Sequence, residues 1–202
     1  MRQCIIVCLL ILAHAIFAFN GGAQAKVTSE LKERPYKVWG SSPRALVSYM
    51  YRRPFRGDYG PALANIRPKY QLKLSTTKGR DGQCRVARSH LHIRFVMTLP
   101  AAQQSQNFSH RTRSYWNAFR RFTRRHELTH RRIYLGCARS VDREFMRLRA
   151  RSCRQLIHQA RRKLAQSRRL CEVKHRAFDR REFPRVPQLS LFRASRGRAV
   201  WR

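Results

Sequence analysis

The sequence predicts an α+β domain in which a small antiparallel sheet packs beside an antiparallel helical hairpin. Two patterns carry this expectation. Leu91, Ile93, Phe95, Met97 and Leu99 point one way while His90, His92, Arg94 and Thr98 point the other, the two-residue period of a half-buried strand, and Pro100 closes the run. Residues 109–178 then contain no Pro and a single Gly, Gly136, and their apolar side chains recur at threes and fours, the period of a helix.

In chain order, Met1-Arg2-Gln3, an apolar run over 4–19 and Gly22-Ala23-Gln24-Ala25 have the layout of a secretory signal peptide cleaved after Ala25. The apolar run falls short of the roughly 20 residues that a spanning helix needs, so residues 1–25 read as a leader and the product as periplasmic or extracellular. Residues 26–183 form a single domain, and residues 184–202, where Pro, Arg and scattered apolar residues show no period, form a basic, flexible tail.

Within the domain, residues 36–40 are a short strand. Ser42 can cap, and Pro43 open, a short helix to Met50, and Pro54, Gly57, Gly60 and Pro61 mark a loop. Tyr70, Leu72 and Leu74 alternate with polar residues, and Lys78-Gly79-Arg80-Asp81-Gly82 is turn material, so this run and the strand ending at Pro100 make a hairpin. Ser109 caps the first long helix, whose stripe is Tyr115, Phe119, Phe122, Ile133, Cys137, Val141, Phe145 and Leu148. The gap between Phe122 and Ile133 is filled by His126 and His130, which puts two histidines on a buried stripe. Ser152-Cys153-Arg154-Gln155 has the form of a capping box and starts a second helix to about Phe178, with Cys153, Ile157, Ala160, Leu164, Cys171, His175 and Phe178 inward.

Composition bounds the partners. The 202-residue chain carries 45 Lys and Arg against 10 Asp and Glu, a net charge of +35, yet 43% hydrophobic residues suffice for a core. Arg outnumbers Lys 37 to 8, so the excess is one of guanidinium groups, and a balance this positive excludes a plain neutral cytosolic enzyme. An exported chain of this charge is drawn to anionic envelope polymers or lipid surfaces, with Arg120-Arg121, Arg124-Arg125 and the basic stretch over 161–169 on outer helix faces. Nothing resembles a helix-turn-helix, finger or RNA-binding signature, so no specific nucleic-acid partner is expected. Cys4 and Cys8 leave with the leader, and Cys84, Cys137, Cys153 and Cys171 suit two disulfides in an oxidising compartment, with three pairings open.

His126-Glu127-Leu128-Thr129-His130 is H-E-x-x-H within a predicted helix. Residues four apart stack one turn above each other, so both imidazoles can reach one Zn2+ at about 2.0 to 2.1 Å, with Glu127 placed to take a proton from a water. A third protein ligand is then required. If the hairpin turns near Arg151, antiparallel pairing sets His126 opposite about 176 and His130 opposite about 172, a band holding Glu172, His175 and Asp179. His175, on the inner stripe, is the first choice and Asp179 the second. Asp142 and Glu144 lie three turns or more past His130, and His90 and His92 sit on the polar face of the second hairpin strand.

Taken together, these residues resemble a family of bacterial predicted secreted Zn-dependent proteases. The resemblance rests on the 36–40 start, Cys84 leading into its strand, Leu99-Pro100, Tyr115-Trp116, His126-Glu127-x-x-His130, Cys153 and Phe178-Asp179, and covers residues 36–179. It implies a zincin-like fold acting on a protein or peptide substrate, with His126 and His130 as zinc ligands and Glu127 as catalytic acid/base. It also implies that Cys84 pairs with Cys153, leaving Cys137 with Cys171. The chain departs from the family pattern after Asp179, where Arg180-Arg181-Glu182 stands in place of a segment ending in His-Gly, so that His175 or a nearby acid would complete the ligand set.

Overall fold

The computed structural model describes residues 24–58 and 60–196; the leader expected over 1–25 lies almost wholly outside them. The elements run β1 (Gln24–Val38), α1 (Pro43–Arg52), β2 (Phe55–Gly57), β3 (Gly60–Ala62), β4 (Asn65–Lys78), β5 (Cys84–Ala102), α2 (His110–Arg147), β6 (Arg149–Ala150), α3 (Cys153–Glu182) and α4 (Ser190–Ser195). This is the expected α+β architecture, with one layer of sheet and one helical hairpin.

The β4–β5 hairpin forms where the alternation places it, around a turn in which Gly82 takes a positive φ of 73°. β5 is the central strand, with β4 antiparallel on one side and β1 on the other. β1 corrects the expectation twice. It is 15 residues long rather than a short strand over 36–40, and it pairs in parallel with β5, from Gln24 opposite Arg88 to Val38 opposite Ala102, so the sheet is mixed. Its helix-facing positions alternate Val27 and Leu31 with Ser29 and Glu33. The polar pair is matched by α2, since Arg131 donates to Ser29 Oγ at 2.8 Å and Arg124 to Glu33 Oε1 at 2.8 Å. Those two matches hide the apolar period in the sequence. Pro100 does not end β5 either. Pairing with β4 has already stopped at Thr98, so the missing N–H leaves that side intact while β1 remains paired to Ala102.

α2 begins at the Ser109 cap and continues unbroken through Gly136 for 38 residues. α3 begins at Ser152, whose Oγ accepts from the Gln155 N–H. Leu91, Ile93, Phe95 and Met97 of β5 pack under Tyr134, Ala138, Val141 and Phe145 of α2 and Ala160 and Cys171 of α3 to form the main core. Both disulfides are those the resemblance implied. Cys84–Cys153 ties the start of β5 to the start of α3, and Cys137–Cys171 staples α2 to α3.

The expected flexible tail is packed as far as it is described. A 3-10 turn over Phe183–Gln188 leads into α4, where Leu191 and Phe192 are buried against α1 and α2 and Phe192 meets Phe119 edge-on at 5.8 Å between ring centroids. A six-residue helix is too short to display a period, and two adjacent apolar residues are enough to anchor it.

A candidate metal centre between the two long helices

The α2–α3 pairing fixes which acceptors meet the H-E-x-x-H turn. The register is shifted by about one turn from the expected one, so the histidines lie level with His175 and Asp179 rather than with 172 and 176. His130 Nε2 is 3.0 Å from His126 Nε2 and 2.8 Å from Asp179 Oδ1, and His126 Nε2 is 3.2 Å from the same carboxylate oxygen. These three atoms form a small triangle, the arrangement that single-ion bonds of about 2.0 to 2.2 Å produce. His126, His130 and Asp179 can therefore hold a metal ion. The group draws its donors from two helices stapled about two turns away by Cys137–Cys171.

The local chemistry suits such an ion. Two imidazole nitrogens and a carboxylate oxygen converge with their lone pairs on one point, an arrangement that needs a proton or a cation at its centre. Burial works against the Asp179 carboxylate, but hydrogen bonds from His126 and His130 outweigh it and hold the group well below the usual carboxylate range. His126 Nδ1 is buried and has no hydrogen-bond partner among the described residues, so on that side the ring is held by packing. Phe178 supplies that packing, with its ring centroid 4.8 Å from His126 and 5.0 Å from His130.

His175, the first choice for third ligand, is not in the triangle, and Asp179 takes the position. His175 Nδ1 instead lies 2.8 Å from His130 Nδ1, the far side of the ring whose Nε2 faces Asp179. Its other nitrogen is 3.7 Å from Cys171 Sγ, and its ring lies against Tyr134 with centroids 3.9 Å apart. Burial, assisted by His130, lowers the His175 pKa to about 4, so the ring is neutral at pH 7. It can fix the tautomer of His130 without adding charge. Tyr134 was not legible because the sequence stripe was phased on Ile133, one residue earlier.

Glu127 is buried beside the triangle, 5% exposed. Burial raises its pKa to about 7 against the opposing pull of His130 and His126, a value suited to proton exchange near neutrality. The remaining candidates lie elsewhere. Glu172 lines a cavity with Tyr70, Tyr134 and Arg168; Glu144 pairs with Lys163 at 3.1 Å; Asp142 is buried against Ser89; His90 and His92 stand on the open sheet face with Thr28.

Among known proteins, the family model described as a bacterial protein of unknown function, DUF922, matches residues 33–184. No curated protein and no solved structure gives a match. The matched stretch runs from β1 to the end of α3 and takes in both disulfides and all three residues of the triangle. With three quarters of its length covered, the chain belongs to the DUF922 family of bacterial proteins.

Proposed function

We propose that this protein is an exported zinc metallopeptidase. His126, His130 and Asp179 would hold the ion, a nitrogen and oxygen donor set with a position left for water or substrate that suits Zn2+. When bound, the metal supplies Lewis acidity toward a water and a peptide carbonyl. Glu127 acts as general base and then general acid. Its carboxylate takes a proton from the attacking water and passes it to the leaving amine. His175 holds His130 in a single tautomer, and Phe178 limits the movement of both ligand rings. The two disulfides and the leader-like first residues support an oxidising, exported setting. Among the described residues, no helix is long and apolar enough to cross a membrane.

The observation that carries this reading is the convergence of the H-E-x-x-H histidines and Asp179 on one point with a buried Glu127 beside them. Its test is the metal content of the purified protein beside that of a His126→Ala, His130→Ala double variant. About one zinc per chain, lost in the double variant, is the expected result, and a folded, zinc-supplemented protein that retains no metal would overturn it.

A further inference from the structure

One face of the β1–β5–β4 sheet is covered by the long helices, and among the described residues the other is open. On the open face, the register sets Lys26, His90 and Lys73 in one row across the three strands, then Thr28, His92 and Gln71, then Glu30, Arg94 and Lys69. Lys26, Lys32, Lys69, Lys73 and Arg88 are exposed there, and no ion pair engages them among the described residues. Glu30 is the only acid in these rows, and it is already drawn to Arg94 at 3.7 Å and His92 at 3.9 Å. At about 6.6 Å between same-face residues along a strand and about 4.8 Å between strands, the unpaired cations border a strip roughly 20 Å long and 10 Å wide.

The middle of the strip is polar. Thr28 Oγ1 is hydrogen-bonded to both His90 Nε2, at 2.8 Å, and His92 Nδ1, at 2.9 Å, and Gln71 stands opposite His92. Such groups match hydroxyls. No Phe, Tyr or Trp lies on these rows to stack a nucleobase, and Val96 in the next row, opposite Lys32 and Arg67, is half-buried, so the face lacks the exposed apolar side chains that insert into a bilayer. Cations along both borders and hydroxyl-matching groups between them describe a linear polymer that carries anions at intervals and hydroxyls throughout.

We propose that the open sheet face is a docking surface for an acidic polysaccharide, gripped at its anions by the lysines of the two edge strands and at its hydroxyls by the Thr28–His90–His92–Gln71 strip. The surface lies on the opposite side of the sheet from the metal triangle, so the inference stands independently of the peptidase reading.

The test measures binding of a sulfated oligosaccharide of about a dozen sugars to the full mature chain across a salt series, beside a single-stranded oligodeoxynucleotide of matched charge and anionic phospholipid vesicles. A Lys26→Gln, Lys69→Gln, Lys73→Gln variant is compared with an Arg161→Gln, Arg162→Gln, Arg169→Gln variant, which removes the same charge from the exposed face of α3. The sheet variant should bind the saccharide about tenfold more weakly at moderate salt and lose about 2 from the slope of log K against log salt, while the α3 variant loses less than about threefold. All substituted side chains are exposed, and unchanged melting curves confirm the fold. Equal losses in the two variants would mean attraction by net charge alone and would overturn the proposal. So would undetectable saccharide binding, or equal or tighter binding of the oligonucleotide or the vesicles.

Discussion

His130 Nε2 lies 2.8 Å from Asp179 Oδ1, while Nδ1 of the same ring lies 2.8 Å from His175 Nδ1, so α3 grips both nitrogens of one imidazole from positions one turn apart. The two contacts have different work. Asp179 contributes a donor atom to the triangle, whereas His175 orients a donor. Asp179→Ala should therefore abolish stoichiometric metal binding, and His175→Ala should retain the stoichiometry with an affinity about 10- to 100-fold lower. Competition against a chelator of known affinity separates these outcomes. Loss of stoichiometric binding in His175→Ala with Asp179→Ala unaffected would reverse the assignment.

Glu127→Gln keeps the shape and the burial but removes the proton acceptor. Metal content should stay near that of the parent protein while peptide hydrolysis falls by about 10²- to 10⁴-fold, measured on a quenched-fluorescence peptide library. The metal-free protein offers a second reading of the same side chain. Burial raises the folded pKa of Glu127 from 4.5 to about 7, so between those values the folded state binds more protons than the unfolded one. Glu127's own contribution to the stability of the chelator-treated protein should therefore fall as pH rises through that window, while His175, whose pKa is lowered, contributes the opposite slope. The stability of the parent minus that of Glu127→Gln isolates the first and should decline from about pH 4.5 to 7.

Where the period was clean, the sequence was sufficient. The β4–β5 hairpin, the Ser109 and Ser152 caps and the inward placement of His126 and His130 could all be read from spacing. β1 could not, because Ser29 and Glu33 occupy inward positions whose partners, Arg131 and Arg124, lie about a hundred residues away. The order of His175 and Asp179 in the site turned on helix register. Counting back from a turn near Arg151 carries an error of one helical turn, which is the separation between the two candidates. α4 was invisible for a different reason, since its whole contribution is the adjacent pair Leu191 and Phe192 filling a gap between α1 and α2.

The packing of α4 has a measurable consequence. Phe192 is 5% exposed and meets Phe119 at 5.8 Å and Tyr51 at 6.4 Å. Phe192→Ala should cost about 3 to 5 kcal/mol in urea unfolding, the range for an aromatic removed from a core. A cost below about 1 kcal/mol would mean that the segment after Glu182 contributes little to the fold.

The two disulfides close loops of different length and should separate stability from metal affinity. Cys84–Cys153 spans 69 residues and Cys137–Cys171 spans 34, so the loop-entropy model gives each about 4 kcal/mol, a little more for the longer. Only the shorter lies beside the triangle, with Cys171 one turn from His175 and Cys137 about two turns from His130. A Cys137→Ala, Cys171→Ala variant should weaken metal binding by at least about tenfold, while Cys84→Ala, Cys153→Ala should leave affinity within about threefold of the parent at temperatures where both are folded.

Asp142 is 2% exposed on the helix face that packs against β5, where it accepts a hydrogen bond from Ser89 Oγ. Burial raises its pKa, and the Ser89 hydrogen bond and the nearby His90 only partly counter the rise. A carboxyl whose folded pKa exceeds its unfolded value binds more protons when folded, so its contribution to stability is greatest at low pH and is lost as pH rises from the unfolded value through the raised one. Asp142→Asn preserves an acceptor for Ser89 and removes the buried charge. Thermal unfolding should show the variant melting above the parent at pH 7, with the gap closing as pH falls below the ordinary carboxylate range. A variant that melts below the parent at pH 7 would mean that the Ser89–carboxylate bond outweighs the burial of the charge.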